Sequence, residues 1–133
     1  MPEPTSEELA YLRARRPAMT PEQRLTTDLW LAGLAPEDAA LLPAIEGPFY
    51  YAGKGQWRPA RRWDDAMPLA LRYRMDIFIS EQPRRVTASG CSVSEFGRSD
   101  KDIPAAICRL ALRLRQERLA HLYGEEVYAH GRT

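Results

Sequence analysis

Apolar and polar positions alternate along this chain with two periods, and the change of period divides it into helices and strands. Thr5-Ser-Glu-Glu8 predicts a short helix to Arg16, closed by Pro17. Its apolar residues (Leu9, Tyr11, Leu12) are few, so residues 1–19 are expected to form a loosely held, partly helical arm. Thr20-Pro-Glu-Gln23 is a stronger helix start, with a Thr cap, Pro at the first helical position and Gln completing a capping box. Leu25, Leu29 and Ala32 then fall at helical spacing beside Trp30, and Gly33 stops the run. A third helix, also opened by proline, is predicted over about 36–45 and ended by Gly47-Pro48.

Residues 47–62, with three glycines and two prolines, predict a loop or ragged strand. Trp63-Asp64-Asp65 leads into a helix to about Arg72, with Asp64 as its cap. Met75, Ile77 and Ile79 alternate with Asp76, Phe78 and Ser80, the period of a strand. A turn over Glu81–Arg84 with Pro83 and a second strand over Val86–Val93 complete a hairpin, and Gly97 and Asp100 are placed in a polar loop. Asp102 is the expected cap of the longest helix, about 103–120, with Pro104 tolerated in its first turn.

Ile103, Ile107, Leu110, Ala111 and Leu114 form the apolar face of that last helix. Cys108, Leu112 and Leu119 extend the face sideways into a stripe wide enough to need cover on two sides, from the N-terminal helices or from a second copy in a homodimer. The pattern therefore predicts an α+β domain over residues 20–122, a short antiparallel sheet of two or three strands sandwiched by helices, with a helical N-terminal segment and a tail over 123–133.

At 133 residues and 44% apolar composition the chain is long enough and apolar enough for a packed core. No apolar run approaches the roughly 20 residues that cross a bilayer. The acidic start, Met1-Pro-Glu-Pro-Thr-Ser-Glu-Glu8, does not resemble an export signal, so a cytoplasmic protein is expected, with no membrane partner. Net charge is only +1 but unevenly spread: five basic and eight acidic side chains in residues 1–57, fourteen and ten in 58–133. Seventeen of the 19 cations are arginine, whose planar fork suits carboxylate and phosphate.

Catalytic chemistry finds little support. His121 and His130 fall at the end of the last helix and in the tail. No HxxxH or CxxC pattern offers metal ligands, and Cys91 and Cys108 sit among apolar residues, as inert cysteines do. Gly53-Lys54-Gly55 lacks the spacing and hydroxyl of a phosphate loop and reads as a turn. No catalytic residue, metal or cofactor is expected.

The segment Phe49–Trp63 is the most suggestive, because aromatics interleave there with Lys54, Arg58, Arg61 and Arg62. Such a mixture serves protein hot spots, which favour Trp, Tyr and Arg. It also serves single-stranded nucleic acid, through stacking and cations. A third possibility is that Phe49, Trp57 and Trp63 anchor the loop to a core. The expected partner-binding residues are Tyr50, Tyr51, Lys54, Trp57, Arg58, Arg61 and Arg62.

The stretch Trp63-Asp-Asp-Ala-Met-Pro-Leu-Ala70, the hairpin after it, and Asp102-Ile-Pro-Ala-Ala-Ile-Cys-Arg-Leu-Ala-Leu-Arg-Leu-Arg115 resemble the phage ABA sandwich domain. Glu22-Gln-Arg-Leu-Thr-Thr-Asp-Leu-Trp-Leu-Ala-Gly33 resembles the amphipathic helix that often opens those proteins, and the likeness spans roughly residues 20–118. The chain departs from that pattern at Pro59-Ala-Arg-Arg62, where tyrosine and small hydroxyl residues are usual. The resemblance implies a small α+β protein encoded by a bacteriophage or prophage, and it carries over no enzymatic residues. It leads to the expectation of a non-enzymatic accessory protein in the bacterial host cytoplasm that occludes a host protein or ribonucleoprotein, an anti-CRISPR being one version. A small nucleic-acid-binding module is the alternative.

Overall fold

Two capping boxes set the first two helices. In the computed structural model, which describes residues 4–53, 55–88, 94–97 and 102–116, Thr5 Oγ1 accepts from the Glu8 N–H while the Glu8 carboxylate accepts from the Thr5 N–H. Helix α1 runs Ser6–Arg15 and continues into a 3-10 turn over Arg16–Ala18. Thr20 and Gln23 repeat the reciprocal pair at the start of α2, Pro21–Leu31, with Pro21 in the first turn. Gly33 ends α2 as its spacing implies: at φ 77° its N–H reaches the Trp30 carbonyl and the Leu34 N–H reaches Leu29. That is a Schellman closure, which glycine adopts without the Cβ penalty.

The described chain is α+β, and its strands lie in two antiparallel sheets of three strands each. In the first sheet, β1 (Ala40–Leu42) pairs with β2 (Phe49–Ala52), which pairs with β3 (Gly55–Gln56). The strand β1 replaces the helix expected over about 36–45. Pro36 closes a tight turn with Ala39 instead, and Ala40, Leu41 and Leu42 pair in antiparallel register with Tyr51, Tyr50 and Phe49. Helix α3 covers Trp63–Arg72 with Pro68 inside it. The second sheet follows: β4 (Met75–Phe78), β5 (Arg84–Ala88) and β6 (Ser94–Gly97), in that order. Gly97 thus belongs to a strand rather than a loop, while Asp100 lies outside the described residues, as do 89–93 of the expected second strand.

Helix α4 spans Ile103–Arg113. It is shorter than the 103–120 expected, because Leu114 caps it and residues 114–115 turn away; 117–120 lie outside the described residues. Neither proposed acidic cap operates, since the side chains of Asp64 and Asp102 make no capping bond. By contact the chain groups into two units, Met1–Trp57 with Arg115–Thr133, and Arg58–Leu114.

In the first unit α1 is not a loose arm. Leu12 is fully buried, and the Tyr11 hydroxyl donates to the Ala44 carbonyl (2.7 Å) while accepting from the Ala44 N–H (3.0 Å). Arg16, buried at the end of α1, holds Asp28 of α2 in a two-pronged ion pair, Nη1 to Oδ1 and Nη2 to Oδ2 (3.0 Å). The sequence spacing gives no hint of that pair, twelve residues apart. In the second unit α4 packs against α3, β5 and β6. Ile103, Ile107, Leu110 and Ala111 are fully inaccessible there.

Candidate interaction surface

The residues expected to form one contact loop fall on both sides of the boundary between the units. Tyr50, Tyr51 and Trp57 belong to the first unit, Arg58, Arg61 and Arg62 to the second, and Lys54 lies outside the described residues. Tyr50 is 2% exposed, its hydroxyl donating to Thr27 Oγ1 at 2.8 Å. Its ring centroid is 5.4 Å from that of Trp30 and 6.5 Å from that of Trp57, which is itself 4% exposed. The Trp57 N–H closes the arrangement on the Tyr50 carbonyl. Burial pushes the Tyr50 phenol well above its ordinary range, against a smaller opposing effect of the Thr27 bond. Tyr50 and Trp57 are therefore core residues, a correction to their expected place at a partner surface. Only Tyr51 among the three is exposed.

The arginines are also engaged. A turn follows the buried Pro59, in which the Arg61 and Arg62 N–H groups both reach the Arg58 carbonyl. Asp65 Oδ2 accepts from the Arg58 N–H (2.9 Å) and lies 3.7 Å from Arg62 Nε. The anionic neighbour that three clustered arginines call for is thus supplied in part from within the chain. Arg61 and Arg62 remain exposed at the start of α3.

The proposed dimer stripe is likewise internal. Cys108 is fully buried and Leu112 nearly so, and Leu119 lies outside the described residues. Burial also drives the Cys108 thiol far up from its usual range, so it is held as the neutral thiol. Cys91, His121 and His130 lie outside the described residues.

A surface that sequence reasoning missed lies on the second sheet. The register sets Ile77 against Val86 and Val86 against Glu95, so these side chains share one face. Helix α4 covers that face: Val86 and Ala88 are buried, and Glu95 accepts from Arg109 (3.3 Å) and Arg113 (3.1 Å). On the opposite face Phe78 stands against Arg85, and Arg85 against Phe96, one residue from each strand. The Arg85 guanidinium lies 4.5 Å from the Phe78 ring centroid and bonds Glu81 at 3.1 Å. Phe96 is 53% exposed, and Asp76 beside this row is exposed as well.

An aromatic–arginine–aromatic row on the uncovered side of a sheet departs from the usual alternation, where that side is polar. One signal for it was present in the sequence: Phe78 falls on the polar phase of its strand, with Asp76 and Ser80. Phe96 carried no such signal, because its strand is not apparent from local spacing.

The row can stack a planar group or seat an apolar one, and the guanidinium adds a cation over the Phe78 ring. Among the described residues no group of three or more His, Cys, Asp or Glu side chains is placed to hold a metal ion, and no helix is long and apolar enough to cross a membrane. No protein-family model, curated protein or solved structure matches this chain.

Proposed function

We propose that this protein acts by binding a macromolecular partner, and that the uncovered face of the second sheet is its contact surface. The observation that carries the proposal is the row Phe78–Arg85–Phe96, with Phe96 more than half exposed on a face that α4 leaves free. Burying a phenylalanine side chain is worth about 1.5–3 kcal/mol, a gain this residue forgoes in the isolated chain and recovers in a complex. The loop over 49–63 contributes Tyr51, Arg61 and Arg62 to the exposed surface, but its two central aromatics stabilise the fold instead.

Photo-crosslinking in cells tests this role. An aryl-ketone amino acid replaces Phe96 in one protein and Ile45, the 84% exposed residue of the first unit, in another. A discrete adduct is expected from position 96 and not from position 45. Equal labelling at both, or no adduct at 96, overturns the assignment of the surface.

A further inference from the structure

We infer that the partner seated on this sheet is a single-stranded nucleic acid, its bases stacked on Phe78 and Phe96 with Arg85 between them. This rests on the binding role proposed above and adds the chemistry of the partner.

Size is the first argument. Three strands about 4.8 Å apart, paired over four residues at about 3.3 Å, give a flat footprint of roughly 200 Å². A specific protein interface buries about 800 Å² of accessible surface on each side, so a protein partner would have to reach well beyond this face. Two or three stacked bases match it.

Chemistry is the second argument. Phe78 and Phe96 are the aromatics of this face, with Arg85 between them in register and Asp76 and Thr87 in the adjacent row. That interruption suits separate flat rings better than a continuous apolar patch. A nucleobase stacks on any aromatic face and on the guanidinium plane as well. The three residues follow one another across the strands at steps of about 4.8 Å, with the Arg85 guanidinium over the Phe78 ring, so an extended strand lying across the sheet meets that pair and then Phe96.

Charge is the third. The second unit carries eleven basic and seven acidic side chains, while the segment Met1–Trp57 carries five and eight. Arg72 and Arg74 are exposed where α3 gives way to β4, next to the sheet that bears the row. The attraction of a polyanion is to this unit as a whole, since the face itself carries the exposed Asp76 and the Arg85–Glu81 pair.

The test uses the full chain and a fluorescein-labelled 20-nucleotide oligo(dT) or oligo(rU), followed by anisotropy, with a duplex of equal length as competitor. Binding is expected to be stronger for the single strands and to weaken steeply as salt rises. Phe96→Ala should reduce affinity about tenfold, in line with the loss of one stacked base. Phe96→Leu keeps the apolar bulk and should lose as much, whereas Phe96→Trp should bind at least as well as the parent. Equal binding by the Leu variant, or no binding of either oligonucleotide by the parent, overturns the inference. If position 96 still crosslinks in cells and the adduct resists nuclease but yields to protease, the partner is a protein and the binding role alone survives. If neither oligonucleotide binding nor a crosslink is seen, both fall.

Discussion

The two sheets of this protein use aromatic residues in opposite ways. In the first, Tyr50 turns inward between Trp30 and Trp57, and its hydroxyl is satisfied by Thr27. In the second, Phe78 and Phe96 stand on the side opposite α4, with Arg85 between them in register and its guanidinium over the Phe78 ring. Arginine follows the same division. Arg16 is buried and locked to Asp28, whereas Arg85 lies over an aromatic ring at a half-open surface. Residue type alone does not separate a core from a binding face. What separates them is the phase of the strand and whether a helix lies against it.

The largest effect that this contrast predicts is in the first sheet. Trp57→Ala should destabilise the protein by about 3–5 kcal/mol in urea unfolding, as expected for emptying a buried aromatic site. A loss under about 1 kcal/mol would mean that Trp57 does not support the core, and would return it to the list of contact residues.

Arg16→Ala should be comparably damaging or slightly milder. It strands the Asp28 carboxylate in the interior, and removing one partner of a buried pair costs about 3–5 kcal/mol. Arg16→Ala is also the sharpest probe of α1, because a loosely held arm would show no such loss. Smaller is the change expected from Phe96→Ala, about 1 kcal/mol or less, since about half of that residue already faces solvent. A large loss there would place Phe96 in the core and erase the distinction between the sheets.

How much of this was legible beforehand depended on the range of the interactions. Both helix starts were plain in the sequence, the one at Thr20 as a capping box, because each is closed within three residues of its Thr. Gly33 and the α+β class were legible for the same local reason. Residues 36–45 misled, since Pro36, Glu37 and Asp38 open a helix as readily as a turn. Only pairing with Phe49–Tyr51 decides that Ala40–Leu42 is a strand. The end of α4 at Arg113 was equally obscure, because the apolar period continues past it to Leu114.

The site was harder to read than the fold. Tyr50 and Trp57 attracted notice as aromatics among arginines and glycines, yet their surroundings come from Trp30 and Thr27, twenty or more residues away. Phe96 attracted none, because its strand is defined by its partner β5 rather than by its own spacing. The ion pair of Arg16 with Asp28 shows the same limit, as a buried charge is recognised only once both partners are placed.

The most direct test of the central claim is a titration of the ¹⁵N-labelled protein with a twelve-nucleotide oligo(dT), following amide shifts residue by residue. The account predicts that Phe78, Arg85, Thr87 and Phe96 move together in proportion to added oligonucleotide, while Tyr50 and Trp57 hold still. Shifts confined to Tyr50, Tyr51 and Trp57, or none at β4 to β6, would contradict it.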